Sequence, residues 1–162
     1  MSDSGNNLVR TVLTDPVHML AFGLGTGLSP VAPGTAGSVL GVVLAWLTLG
    51  LTLPVQIGIG VVLVLTGIWL CGESARRIGV HDHSGIVWDE IAAMYLVLFW
   101  QPFEPLTWLA GFVLFRVFDI WKPWPISDLD HRMKGGAGIM LDDLVAALYA
   151  ALLLAFGGWA LT

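Results

Sequence analysis

The chain has 162 residues, enough for one domain, yet 56% of them are hydrophobic and only 12% are charged, where a soluble domain carries about 25% charge. With a mean hydropathy of +0.81, it cannot hide its apolar surface within itself, whereas lipid removes the need for a polar exterior. A net charge of −5 excludes a binder of nucleic-acid backbone, and a single cysteine, Cys71, excludes an internal disulfide framework.

Residues 1–15 read as a polar, loosely ordered N-terminal tail without the apolar run and cleavage site of a signal peptide. Residues 16–162 read as a single membrane-embedded domain. Within it, 16–33 (PVHMLAFGLGTGLSPVAP) predict a short interfacial or re-entrant helix and then a loop. The uncharged runs 36–53 and 55–71 predict a helical hairpin divided at Pro54. Residues 91–100 are too few to cross about 30 Å of hydrocarbon, so that helix is extended back to about Gly85. Further helices are expected over 105–121 and 144–161, with Asp142 and Asp143 directly before the last, where carboxylates suit a helix N-terminus. The expected fold is therefore all-α, a polytopic membrane bundle of about five membrane helices.

Charge supports an orientation. With the N-terminus cytoplasmic and five helices alternating, Arg10, Arg76, Arg77, Lys122, Arg132 and Lys134 fall on the inner side, and Arg116 on the inner half of its helix. That accounts for all seven basic residues, as the positive-inside rule requires. Glu104 is the only acidic residue outside. A very apolar soluble bundle is the weaker alternative.

This topology gathers four polar stretches on the inner face. In Ser29–Ser38 a proline- and glycine-shaped loop leads into a helix, whose free N–H groups, with Thr35 and Ser38, suit either anion binding or ordinary capping. In His81–Glu90 the adjacent Asp89 and Glu90 repel each other at a membrane boundary unless a cation joins them, and Mg²⁺ or Mn²⁺ suits such oxygen ligands. His81 and His83 lack a third zinc ligand at suitable spacing and read better as structural groups. Arg116, Asp119 and Lys122 share a helical stripe, forming either an ion-pair ladder or a phosphate and metal site. Asp142 and Asp143, after the glycine-rich 134–138, add a second acidic pair. Five carboxylates on one side exceed what a structural bundle needs. A divalent metal and the neighbouring basic residues are their obvious counter-ions, and a phosphate ester at the inner leaflet the obvious substrate.

The stretches GLGTGLSPVAPGTAGS (23–38), GVHDHSGIVWDE (79–90), GFVLFRVFDIWKPWPI (111–126) and KGGAGIMLDD (134–143), in this order, closely resemble the phosphatidylglycerophosphatase A family of bacterial membrane enzymes. The resemblance implies Mg²⁺-dependent removal of the terminal phosphate of phosphatidylglycerophosphate, giving phosphatidylglycerol. It implies Asp89, Glu90, Asp142 and Asp143 as metal ligands or bases, joined by Asp119, and Arg116, Lys122 and Lys134 on the substrate phosphate, with Thr35 and Ser38 assisting. A bound water or His83 would protonate the leaving group, and attack by water is preferred to attack by an aspartate. A phosphatase for another lipid or isoprenoid phosphate is the nearest alternative, and a small divalent-cation transporter the alternative of another class.

Overall fold

The structure is a computed structural model and describes residues 2–80, 83–124, 126, 133 and 135–160. All regular elements among them are helical. The expected loose tail is instead helix α1, Ser2–Thr14, which buries Val12 and rests Leu8 on the core. One residue later α2, Pro16–Ala21, starts on a strong stop-and-start signal. Asp15 accepts the Val17 N–H at 2.9 Å as N-cap, and Pro16 takes the first helical position, where its missing N–H is no loss. Asp15 also meets Arg77 at 2.7 Å, and His18 Nδ1 lies 2.8 Å from Ser74 Oγ in a buried contact. These two links fasten α2 to the stretch around Ser74 and Arg77.

A 3-10 segment over Gly23–Leu28 follows, broken by left-handed Leu24 and Gly25. Helix α3 is Pro33–Leu47 and α4 is Leu53–Ile78. The hairpin turn lies before Pro54, which sits within the first turn of α4. Gln56 Nε2 donates to Thr48 O at 2.8 Å, and Tyr95 Oη donates to Gln56 O at 3.0 Å, closing the hairpin end with buried polar groups. Gly79, at φ +80, ends α4 in the left-handed conformation that favours glycine.

Helix α5, Trp88–Leu98, is the hub: α3, α4, α6 (Pro105–Trp121) and α7 (Gly136–Ala160) all pack on it, and Ile91–Tyr95, Val97 and Leu98 are buried. Gly37 and Gly41 let α3 come so close that a Cβ at either would meet α5 or the residue before it. By contrast α3 and α4, although consecutive, barely touch. The last helix begins eight residues earlier than expected, because Gly136 packs directly on the backbone of Ile68 and Gly72 and starts the helix rather than ending a loop. Asp142 and Asp143 therefore lie inside α7 and not before it.

Among the described residues two helices, α4 and α7, are long and apolar enough to cross a membrane, and α3 is a shorter apolar helix. Helix α5, at 11 residues, is about 16 Å long and cannot cross alone. The exterior is studded with exposed Val43, Trp46, Leu47, Val62, Leu65, Leu106, Leu109 and Phe156. A soluble monomer does not present so much contiguous apolar surface; the chain is a membrane protein.

Candidate active site

The starts of α3 and α5, the last turns of α6 and the second turn of α7 converge on a polar cavity of about 260 Å³. Asp89, Glu90, Asp119, Asp142 and Asp143 all line it, with Arg116 and Lys122. Ile86 and Ile139 give it apolar walls.

The charges in it are sorted. Asp119 Oδ2 meets Arg116 Nη1 at 2.7 Å, and Asp142 Oδ2 meets Lys122 Nζ at 2.6 Å. Asp89, Glu90 and Asp143 form the remaining group, each offering an oxygen within 4.8 Å of the others. Asp89 Oδ1, Glu90 Oε2 and Asp143 Oδ2 are buried and have no hydrogen-bond partner among the described residues. Three crowded carboxylates with orphan oxygens repel one another in a low-dielectric setting unless a cation sits among them. All-oxygen donors suit a hard divalent ion, so the donor set fits a divalent metal.

Opposite this group lies positive potential. Arg116 Nη1 is 4.0 Å from Glu90 Oε1 and donates to Ser38 Oγ at 3.3 Å. Helix α3 supplies its N-terminal end: the Ala36 N–H bonds Ala32 O, Pro33 has no N–H, and helix geometry leaves those of Gly34 and Thr35 without an intrahelical partner. Gly34 brings this backbone against Glu90 and Arg116, since a Cβ there would overlap the Glu90 carboxylate and lie 3.2 Å from Arg116 Nη1. A site of this kind can hold a cation and a phosphate side by side.

Comparison with known proteins gives the same direction. A family model described as phosphatidylglycerophosphatase A matches residues 19–157. The chain belongs to the phosphatidylglycerophosphatase A family. It is 43% identical to phosphatidylglycerophosphatase A of Escherichia coli, over 92% of this chain and 87% of that protein. It is 42% identical to the Haemophilus influenzae phosphatidylglycerophosphatase A, over 91% of each. A Bacteroides thetaiotaomicron protein provisionally named a phosphatidylinositol-3-phosphatase is 33% identical over 87% of this chain and 92% of its own length. No solved structure was found to match.

The family match spans every element that lines the cavity and leaves out α1. Of the residues singled out in the sequence, the structure brings together Asp89, Glu90, Arg116, Asp119, Lys122, Asp142 and Asp143. Thr35 and Ser38 are not in its lining. The Ser38 hydroxyl, fully buried, donates to Gly34 O at 2.9 Å and accepts from Arg116. His83 also stands outside the lining: its Nδ1 accepts the Gly85 N–H at 3.0 Å, and its ring packs on Phe22. Lys134 and His81 lie outside the described residues. Gly34 was legible only as a loop-shaping residue. Its closeness to Glu90 and Arg116 depends on a contact across 56 and 82 residues of chain (34 to 90, 34 to 116), for which no local signal exists.

Proposed function

We propose that the chain hydrolyses phosphatidylglycerophosphate to phosphatidylglycerol and inorganic phosphate, with Mg²⁺ held by Asp89, Glu90 and Asp143. The observation that carries this reading is the three-carboxylate group facing Arg116 and Lys122 across one cavity. When bound, the ion polarises the phosphoryl oxygens as a Lewis acid.

The chain's own groups do the rest. Arg116 and Lys122 neutralise the phosphate, and the N–H group of Gly34, which lines the cavity, binds one of its remaining oxygens. Asp119 fixes the Arg116 guanidinium, and Asp142 fixes the Lys122 ammonium, so each base is aimed before substrate arrives. A carboxylate of the cluster orients a water for in-line attack. The water oxygen bonds phosphorus and its proton passes to that carboxylate, the phosphorus–alkoxide bond breaks, and the glycerol alkoxide takes a proton from a second water, whose hydroxide is neutralised by the proton held on the carboxylate. His83, occupied by Gly85 and Phe22, has no part in this scheme.

The reading includes a multi-pass arrangement in which α3 to α7 each cross or half-cross the bilayer, with the N-terminus and cavity on the cytoplasmic side. The clustering of Arg76, Arg77, Arg116 and Lys122 toward one end of the bundle supports it. Reporter fusions after residue 53 and after residue 103 should report the outside, and one after residue 75 the cytoplasm.

The decisive assay is phosphate release by purified protein from phosphatidylglycerophosphate, with and without Mg²⁺. Phosphatidylinositol 3-phosphate and an isoprenoid phosphate belong in the same panel, the former because of the name carried by the Bacteroides relative. No release from phosphatidylglycerophosphate under either condition rejects the proposal, and metal flux into liposomes would point to a transporter.

A further inference from the structure

Beside the polar cavity runs a second, wholly different recess. It holds about 350 Å³ and opens where α3 and α4 diverge. Val43, Leu44 and Leu47 form one wall and Leu63 the other. No charged residue lines it. Its back is α5, through Trp88 and Ile91, the two residues that flank Asp89 and Glu90 in the chain. The groove and the acid pair are thus set on one turn of one helix. The back wall is held rigid, since the Trp88 indole Nε1 donates to Leu63 O at 3.0 Å.

The 3-10 segment adds Leu24 to the lining of the groove. This leucine sits at φ +56, in the left-handed region that non-glycine residues avoid, and its side chain is 67% exposed. Backbone strain of this kind persists where surroundings over-determine it, and it concentrates at ligand clamps. The α3 wall from Leu40 to Leu47 extends about 10 Å, most of the ~15 Å depth of one leaflet of hydrocarbon. A soluble partner has no access to a groove at that depth, and exposed Val43 and Leu47 at its lip face lipid.

We infer that this groove seats one acyl chain of the lipid phosphate while its head group occupies the neighbouring polar cavity. The inference rests on the lipid-phosphatase reading above. It makes the groove a chain-length sensor of the enzyme, separate from the groups that handle phosphate.

The test is kinetic and uses the full chain in nanodiscs or micelles. Val43→Trp fills the groove from an exposed position, and Val62→Trp places the same bulk on α4 outside the groove. Two substrates are compared, a long-chain phosphatidylglycerophosphate and its water-soluble dihexanoyl form. Val43→Trp should raise KM for the long-chain lipid severalfold and leave its kcat, and both constants for the dihexanoyl form, at wild-type values. Val62→Trp should change neither substrate. Equal effects of Val43→Trp on both substrates, or none on either, overturn the inference.

A second measurement does not depend on turnover. Long-chain phosphatidylglycerophosphate carrying a diazirine near one chain end should label residues 20–24 and 40–47 in wild-type protein, and less so in Val43→Trp. Labelling spread evenly over all lipid-facing helices, or cross-linked dimers in place of lipid adducts, assigns the groove to bulk lipid or to a second copy and overturns it. Failure of wild type to hydrolyse either substrate, with labelling intact, would instead strike the proposed reaction and leave the groove assignment standing.

Discussion

Gly34→Ala is the most informative single change the structure suggests. Its added Cβ would lie 3.1 Å from Glu90 Cδ and overlap Glu90 Oε1. To regain ordinary carbon–oxygen contact of about 3.5 Å, the carboxylate must retreat by roughly 1 Å. Glu90 is the flexible end of a long side chain, so that retreat is mechanically easy and stability should hardly change. Catalysis should suffer, because a 1 Å misplacement of a positioned group lowers rate by about 100-fold, near 2.7 kcal/mol of transition-state stabilisation. The assay is phosphate release at saturating lipid and Mg²⁺, with thermal unfolding measured on the same preparation. Gly58→Ala is the control, since a Cβ there meets nothing within 4 Å. A Gly34→Ala enzyme that keeps its melting temperature and turns over within about threefold of wild type, against the 100-fold expected, would show that the contact with Glu90 plays no part in the reactive arrangement.

Removing charge from the carboxylate group, by Asp89→Asn or Asp143→Asn, should lower turnover at least 100-fold and raise the Mg²⁺ concentration for half activity, followed by metal titration; unchanged metal dependence would remove these residues from the ion's ligand set. Chelation with EDTA should abolish phosphate release, and added Mg²⁺ should restore it in full. Lys122→Met leaves Asp142 without its 2.6 Å salt bridge next to Asp143, so kcat/KM should fall while half-saturating Mg²⁺ also falls, the two opposite signs being read in one titration series. Arg116→Lys keeps the charge but loses the planar guanidinium whose Nη1 meets both Asp119 and Ser38; KM for the lipid should rise about 10-fold or more, and Ser38→Thr should be milder than Ser38→Ala if the hydroxyl positions the guanidinium.

The helices themselves were written in hydropathy. The run 105–121 appears as α6 with the expected bounds, because Pro105 and the Lys122–Pro123 pair punctuate it on both sides. The acids and bases of the site could be named because charge at the edge of an apolar run is costly and therefore conspicuous. Their division of labour was not readable. Asp142 and Asp143 are neighbours of the same type, yet one faces Lys122 and the other faces Asp89 and Glu90. That difference comes from helical phase inside α7, which a helix start at 144 conceals. Ser38, near a helix start, reads equally as an anion-binding or a capping hydroxyl. Only the packing of α3 on α6, 78 residues apart in the chain, turns its hydroxyl toward Arg116. Helix α1 was missed because its polar residues hide a single apolar stripe around Leu8 and Val12.

The hydrogen bond from Trp88 to Leu63 also fixes a depth. Leu63 is the eleventh residue of α4 and lies ten residues before Glu73, where the charged end of that helix begins. The Trp88 indole also lies against Gly67, where an added Cβ would sit 2.8 Å from its Cδ1, six residues or roughly 9 Å before Glu73, and Asp89, next to Trp88, is buried. Ions and water must therefore be brought to it, since hydrocarbon alone cannot solvate such groups. In the orientation proposed above, the polar cavity would be a hydrated recess on one side of the bilayer, open to a lipid phosphate at that surface.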